Sequence, residues 1–366
     1  MYIHQLKDWP DFTWDTDALL TRLGEVRYRQ GNILGLMSQA GFKLQETALL
    51  ETLTLDVTKS SEIEGEKLNT EQVRSSIARR LGIEAGGTIP ADRSVEGVVE
   101  MMLDATQKFK DELTEDRLFD WHAALFPTGR SGMQKITVGG WRTPEAGPMQ
   151  VLSGAMGKEK VHFEAPEAEL LPNEMNRFLT WFNRAPDTDP VIKAAVAHLW
   201  FVTIHPFDDG NGRITRALTD LLLARADGTP QRFYSMSAQI LQEKNAYYDI
   251  LEHTQKGSLD ITAWLSWFLE CLFNAMDHTE QTLKAVSARN SFWERHRETP
   301  LNERQQKMLN TLLDDFFGNL TTAKWAKMTK SSPDTALRDI QDLIEKRILE
   351  KEPGGSKNTT YALTAI

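Results

Sequence analysis

Nine consecutive residues, 205–213, read HPFDDGNGR. One histidine, two aspartates, an asparagine, two glycines and an arginine stand within nine positions, more polarity than a core tolerates unless every group finds a partner. A helical pattern opens directly afterwards. A loop that feeds a helix N-terminus is an anion site, because unpaired backbone N–H groups point outward there and the helix dipole favours negative charge. Gly210 and Gly212 let the backbone approach a ligand closely. Arg213 falls in the first helical turn and Arg216 three residues on, along the same side, a pair suited to a polyphosphate. Asp209 would repel phosphate by itself, and makes sense if Mg²⁺ lies between the two. His205, at the end of the preceding helix and facing the loop, could take a proton from an attacking hydroxyl. The plainer alternative is a helix–loop–helix connection whose polar groups satisfy one another.

Other phosphate and metal readings fit less well. GAMGKE around Gly157 and Lys158 lacks the spacing and the Ser/Thr of a Walker loop. His198 lies two turns before His205 on the same face, but a zinc site needs more ligands, so it is expected to pack in the core.

The elements that must hold this loop are helices. Residues 191–204 (VIKAAVAHLWFVTI) are apolar nearly all round, as in a central buried helix. After the loop, Ile214, Leu218, Leu221 and Leu222 share one face of a second helix that stops at Gly228 and Pro230. Residues 15–82 read as helices, with Asn69 as an N-cap, Gln72 at the capping-box spacing and Gly82 as a stop. EAGGTIPADR, 84–93, marks a boundary or a long loop. Further helices are expected over 95–110, 114–125, 172–183, 237–254 and 260–278. Residues 129–166 break the pattern: they are glycine-rich, and two strand-like runs, 149–152 and 160–163, suggest a small β-hairpin. The fold class is therefore all-α with a small β-hairpin.

Length and composition set the outer bounds. The 366 residues suggest two or three domains, and 40% hydrophobic with 26% charged residues is ordinary for a globular chain. A formal net charge of −10 argues against a surface that coats nucleic acid or an anionic membrane as a whole. Cys271 is the single cysteine, so no intrachain disulfide forms, which fits a reducing cytoplasm. The first residues lack a signal-peptide pattern, and no apolar run has the length of a membrane span.

HPFDDGNGR, continuing to Arg216, resembles the signature of the Fic (filamentation induced by cAMP) family, His-Pro-Phe-x-Asp/Glu-Gly-Asn-Gly-Arg-x-x-Arg, with every fixed position matched. The similarity extends over about 93–276. DWPDFTWD and EIEGEKLNTEQVRSSIARRLG resemble the helical domain that precedes the core in many bacterial members. The resemblance implies a division into an N-terminal helical domain (1–90), a Fic core (91–280) and a winged helix-turn-helix (300–366). It implies AMP transfer from ATP to a Ser, Thr or Tyr hydroxyl of a target protein, or of the chain itself. His205 would then be the general base, with Asp209 holding Mg²⁺ at the α- and β-phosphates. Gly210, Asn211, Gly212 and Arg213 would form the anion hole, and Arg216 would receive the γ-phosphate. Phe207 would anchor the loop in the core. Met149, Gln150 and Val151 would belong to a flap that aligns an extended target segment. Asn245, Tyr247 and Tyr248 fall where members surround the nucleotide base, with core packing the alternative for the tyrosines.

SSEIEG, 60–65, reads by itself as a helix end stopped by Gly65. Beside a Fic-like core it resembles the family's inhibitory motif, Ser/Thr-x-x-x-Glu-Gly/Asn, carried by Ser60, Glu64 and Gly65. A glutamate paired with Arg216 would misplace the triphosphate and spoil in-line geometry. The same glutamate could instead activate water for removal of AMP from a modified protein.

The tail supplies a different class of function. Helices over 303–316, 322–328 and 333–346, then a ribbon around Pro353, Gly354 and Gly355, follow the order of a winged helix. Residues 321–361 hold eight Lys/Arg and six Asp/Glu, slightly basic within an acidic chain. Arg338 is the one strong base reader early in the recognition position, and Asp334 and Asp339 would repel phosphates. Protein contact or dimerisation is the favoured use of this segment, with DNA binding the rival.

Overall fold

The computed structural model describes residues 1–83, 89–153, 160–185, 187–313, 318–352 and 359–364, without the side chains of 43, 146, 278 and 281–291. The described chain is mostly helical and forms two compact units, Met1–Thr279 and Glu280–Ile366. Among the described residues no helix is long and apolar enough to cross a membrane.

The first unit opens with α1 (Thr16–Gln39), α2 (Phe42–Ile63) and α3 (Thr70–Leu81). Asn69 caps α3 by accepting from the N–H groups of Glu71 and Gln72, and Gly82 closes it at φ +71°. The reciprocal half of the expected capping box is absent. Gln72 Oε1 accepts from the N–H of Asp92 at 3.3 Å, because the chain returns past this helix end on its way to the next element. Of the loop at 84–93, residues 84–88 lie outside the described residues.

There follow α4 (Arg93–Gln107), α5 (Glu115–Leu125), and a short pair, β1 (Arg130–Ser131) and β2 (Gln134–Lys135), that the sequence pattern did not predict. The expected hairpin is β3 (Gln150–Ser153) with β4 (Lys160–Glu164), antiparallel, Gln150 opposite Glu164 and Ser153 opposite Lys160. GAMGKE lies outside the described residues.

Next come α6 (Leu171–Asn183), α7 (Pro190–Ile204) and α8 (Asn211–Asp227). All residues of α7 after Pro190 are buried, as an all-round apolar helix must be. Its partner α8 is buried from Arg213 to Ala224, and the two pack side by side at the centre of the unit. Phe201 is fully buried here, and its truncation to alanine would cost about 3–5 kcal/mol.

The helix expected over 237–254 is two helices, α9 (Met236–Gln242) and α10 (Lys244–Gln255). They break at Glu243, whose backbone leaves helical geometry (φ −105°, ψ 26°) while its carboxylate accepts from Gln239 and Asn274. The helix expected to end at 278 runs on as α11 (Thr262–Arg295), since no glycine or proline interrupts the sequence before Pro300.

The second unit holds α12 (Glu303–Leu313), β5 (Leu320–Thr321), α13 (Thr322–Thr329), α14 (Pro333–Glu345), β6 (Leu349–Lys351) and β7 (Thr360–Leu363). Residues 314–317, where α12 was expected to end, and the turn at Pro353, Gly354 and Gly355 lie outside the described residues. The expected two-stranded ribbon is a three-stranded antiparallel sheet of order β5-β7-β6. Trp325, Ile340, Leu343 and Tyr361 share its core. Asp339 is not a surface charge aimed at a phosphate backbone: it is buried and accepts from Arg304 Nε at 2.7 Å and Asn302 Nδ2 at 2.9 Å.

Candidate functional site

The end of α7 delivers His205. Pro206 follows it, and His205 stops the helix in the left-handed conformation (φ 52°) while its N–H still bonds Phe201 O at 3.0 Å. His205 Nδ1 lies 3.2 Å from Val202 O. A carbonyl only accepts, so Nδ1 carries the proton and Nε2 is left as the basic nitrogen. Burial holds the His205 pKa below its ordinary value of 6.5, and nearby Arg142 pushes the same way. The ring is therefore neutral near pH 7 and able to accept a proton.

The loop after His205 is held from outside. Arg142, nearly fully buried, donates through its backbone N–H to Pro206 O at 2.9 Å, through Nε to His205 O at 2.8 Å, and through Nη2 to Pro166 O. Phe207 is fully buried and stacks on His122, ring centroids 4.2 Å apart. The Asn211 amide closes the loop on itself, accepting from Phe207 N–H at 3.0 Å and donating to Phe207 O at 2.8 Å. Asp208 accepts from the Thr137 N–H at 2.8 Å. Burial pushes the His122 pKa down to about 4, so this ring is neutral. Its Nδ1 accepts from Gly139 N–H, and its Nε2 donates to Asp209 O at 3.2 Å.

Gly210 opens α8 at φ +81°, where a Cβ would press on the Phe126 ring at 2.9 Å. Beside it the Asp209 carboxylate accepts from the Ser131 hydroxyl and from the N–H of Gly210. Among the described residues no group of three or more His, Cys, Asp or Glu side chains could cage a metal. Asp209 fits the other kind of site, in which one carboxylate shares Mg²⁺ with ligand oxygens.

Arg213 and Arg216, in the first turns of α8, are both buried, and both meet the end of α2 or the turn that follows it. Arg216 donates through Nε to Ser60 Oγ at 2.9 Å and through Nη2 to Ser60 O at 2.8 Å. Glu64 Oε1 pairs with the same Nη2 at 2.8 Å. Gly65 turns the chain at φ +87°, and Glu66 Oε2 then pairs with Arg213 Nη1 at 2.7 Å. A Cβ at Gly212 would overlap Glu64 Oε1, so the glycine makes room for this carboxylate.

Beneath this turn α2 is seated on a buried polar cluster. Asp56 accepts from Ser235 Oγ at 2.5 Å, and Arg232 pairs with Asp220 at 2.5 Å. Burial first, and the adjacent Asp220 second, push the Asp56 pKa up to about 8. Burial raises the Asp220 pKa as well, and its pairing with Arg232 opposes that rise.

One cavity of about 560 Å³ gathers most of these groups. Its wall includes Glu64, Met149, Gln150, Val151, His205, Asp209, Gly210, Asn211, Gly212, Tyr247 and Tyr248. Tyr247 is buried, with its hydroxyl 2.9 Å from Nε2 of the buried His198, whose Nδ1 lies 2.9 Å from Thr219 Oγ1. His198 is thus a core histidine. Asn245 is exposed on α10 and outside the cavity wall. Arg142, Ser131, Lys244 and Glu66 were not read from the sequence. Only Glu66 left a signal, as a second glutamate just past Gly65, whereas the other three reach the site from segments without a motif.

Known proteins resemble this chain in fold and in part of its sequence. Residues 2–83 match a family described only as a domain of unknown function, DUF4172. A protein adenylyltransferase Fic of Aedes aegypti is 28% identical over 231 residues, 59% of this chain and 39% of its own length. The chain thus spans about two fifths of the curated relatives it matches. The crystal structure of a Fic family protein from Desulfovibrio desulfuricans G20 superposes with a TM-score of 0.56 at 21% identity, over 97% of this chain and 98% of that one. A Fic domain containing signaling protein from Bacteroides thetaiotaomicron gives 0.52 at 19% identity, over 72% of this chain and 98% of its own. The fold is therefore the one these Fic structures share, and residues 112–223, which contain the whole loop and both arginines, match the Fic/DOC family.

Proposed function

We propose that this chain transfers AMP from ATP to a Ser, Thr or Tyr hydroxyl, on a target protein or on itself, and that Glu64 is its built-in brake. The observation that carries the reading is what one cavity wall brings together: a neutral imidazole, the N-terminus of α8, and a glutamate already paired with Arg216 behind it. The name of the Aedes aegypti relative supports it.

In the proposed step the hydroxyl oxygen attacks the α-phosphorus and its proton passes to His205 Nε2. The bond from the α-phosphorus to its bridging oxygen breaks, and pyrophosphate leaves. The backbone at Gly210, Asn211 and Gly212, with Arg213, holds phosphate oxygens at the helix N-terminus. Mg²⁺ held at Asp209 would supply positive charge to the phosphates. Strand β3 pairs only with β4 among the described residues, which leaves one edge for an extended target segment to join. Tyr247 and Tyr248 offer ring faces to the base. With Glu64 on Arg216 the γ-phosphate loses its cation, and the α-phosphate is poorly aligned for attack.

The test is a labelling assay with α-labelled ATP and Mg²⁺ on wild type, Glu64→Gly and Glu64→Gly/His205→Ala, with cell lysate as target. Label on protein in Glu64→Gly alone is the expected result. No label with any variant would overturn the transfer reading. Because Glu64 and His205 line the same cavity, a second reading uses Glu64 to activate water and remove AMP from a modified protein. Release of AMP from pre-labelled protein by wild type, lost in Glu64→Gly, would favour it.

We read the second unit as a winged helix used for protein contact. Asp339 is tied to Arg304 while Arg338 stays exposed, so a salt-dependent shift of duplex DNA would be the result that favours the nucleic-acid reading instead.

A further inference from the structure

Two glutamates, not one, meet the arginines at the start of α8, Arg213 and Arg216. The turn after α2 is tightly closed: Glu64 N–H and Glu66 N–H both bond Ser61 O, at 3.1 and 3.0 Å, and Gly65 N–H bonds Glu62 O at 3.0 Å. Gly65 at φ +87° lets the chain double back, and so Glu64 and Glu66 reach Arg216 and Arg213, which stand one helical turn apart. Arg213 is packed in place. Its side chain is 4% exposed, and its guanidinium lies over the Phe126 ring, 5.1 Å from the centroid. A phosphate at the mouth of α8 and the Glu66 carboxylate therefore compete for the same fixed donors.

We propose that Glu66 sets which nucleotides this cradle accepts, by withholding Arg213 from the β-phosphate while Glu64 withholds Arg216 from the γ-phosphate. The inference rests on the phosphate-site reading above. Arg213 lies in the first turn of α8 beside Gly210 and Gly212, and Arg216 about 4.5 Å further along the axis. The two carboxylates thus guard successive positions along a polyphosphate. With both in place the cradle suits a nucleoside monophosphate better than a di- or triphosphate.

The two guards leave different signatures in nucleotide binding, read by titration calorimetry with AMP, ADP and ATP in Mg²⁺. Glu66→Ala tightens ADP and ATP alike and leaves AMP unchanged, whereas Glu64→Gly tightens ATP alone. Glu66 is 52% exposed, so solvent weakens its hold and the gain is modest, about two- to five-fold in Kd. Glu66→Gln, which keeps the side-chain shape, moves Kd in the same direction, and unchanged thermal unfolding of both variants excludes a folding effect. ADP and ATP constants equal to wild type in Glu66→Ala, or AMP tightened equally, would overturn the proposal. These signatures in variants that never label protein would leave the role of Glu66 standing and remove the transferase reading. Absence of nucleotide binding in every variant would remove both.

Discussion

Lys244 Nζ stands 2.6 Å from the carbonyl oxygen of Ile63, the last residue of α2. An ammonium on an otherwise unpaired helix-end carbonyl satisfies one of the orphan acceptors and favours the negative end of the helix dipole. Lys244 opens α10, whose Tyr247 and Tyr248 line the cavity, so one contact joins the turn bearing Glu64 to the opposite wall. Its loss should loosen that turn. Lys244→Ala is expected to raise basal protein labelling by roughly 3- to 10-fold, the range that one charge-assisted hydrogen bond can supply. Labelling at the wild-type rate would mean that α2 needs no such tether.

The pH profile of transfer in Glu64→Gly should report His205. If His205 is the base, the neutral ring is the active form; burial and Arg142 depress its pKa, so activity should be flat near pH 7 and fall only well below pH 6.5. Arg142→Met removes one lowering cause and the two side-chain hydrogen bonds, to His205 O and Pro166 O, while the backbone bond to Pro206 O stays. Its acid limb should move up in pH, and its rate should drop by about ten-fold or more as the loop loses its geometry. An acid limb that stays in place would separate Arg142 from the titration of His205.

Asp209→Asn keeps the shape beside Ser131 and Gly210 but removes the charge. In the Glu64→Gly background it should lower labelling by at least the roughly 10- to 100-fold that outer partners of a metal site cost. Raised Mg²⁺ should restore part of the rate. A variant with an unchanged Mg²⁺ dependence would place the cation elsewhere.

Asp56 makes the seating of α2 pH-dependent. Its folded pKa, about 8, stands above the ordinary carboxylate value, so its contribution to stability is full in acid and lost as pH rises through about 8. Asp56→Asn cannot ionise. Its stability relative to wild type should grow with pH between about 5 and 8, by about 1 kcal/mol per pH unit, and level off above that. Thermal unfolding across pH 5–9 reads this directly. A constant difference would show that Asp56 is already ionised in the fold.

The sequence by itself determined what depends on neighbours along the chain. The all-round apolar run of α7, the Asn69 cap and Gly82 stop of α3, the strand pairing near Met149 and the helix that starts directly after Gly210 all follow from periodicity or from residue type at short range. Those signals are local because helix caps, glycine turns and helix N-termini act within one turn of the backbone. The pairing of Glu64 with Arg216 was legible only through resemblance, since it joins residues 152 positions apart.

Tertiary structure alone decided the rest. At the break, Glu243 accepts from Gln239 and from the distant Asn274, and no glycine or proline announces it. Arg142, Ser131 and Lys244 reach the site from a loop, a two-residue strand and a helix end, none of which carries a motif. Glu66 meets Arg213 only because Gly65 doubles the chain back against α8, which a linear pattern cannot express. Whether a polar side chain faces solvent, a ligand or a buried partner depends on what folding packs against it, and that comes from distant segments.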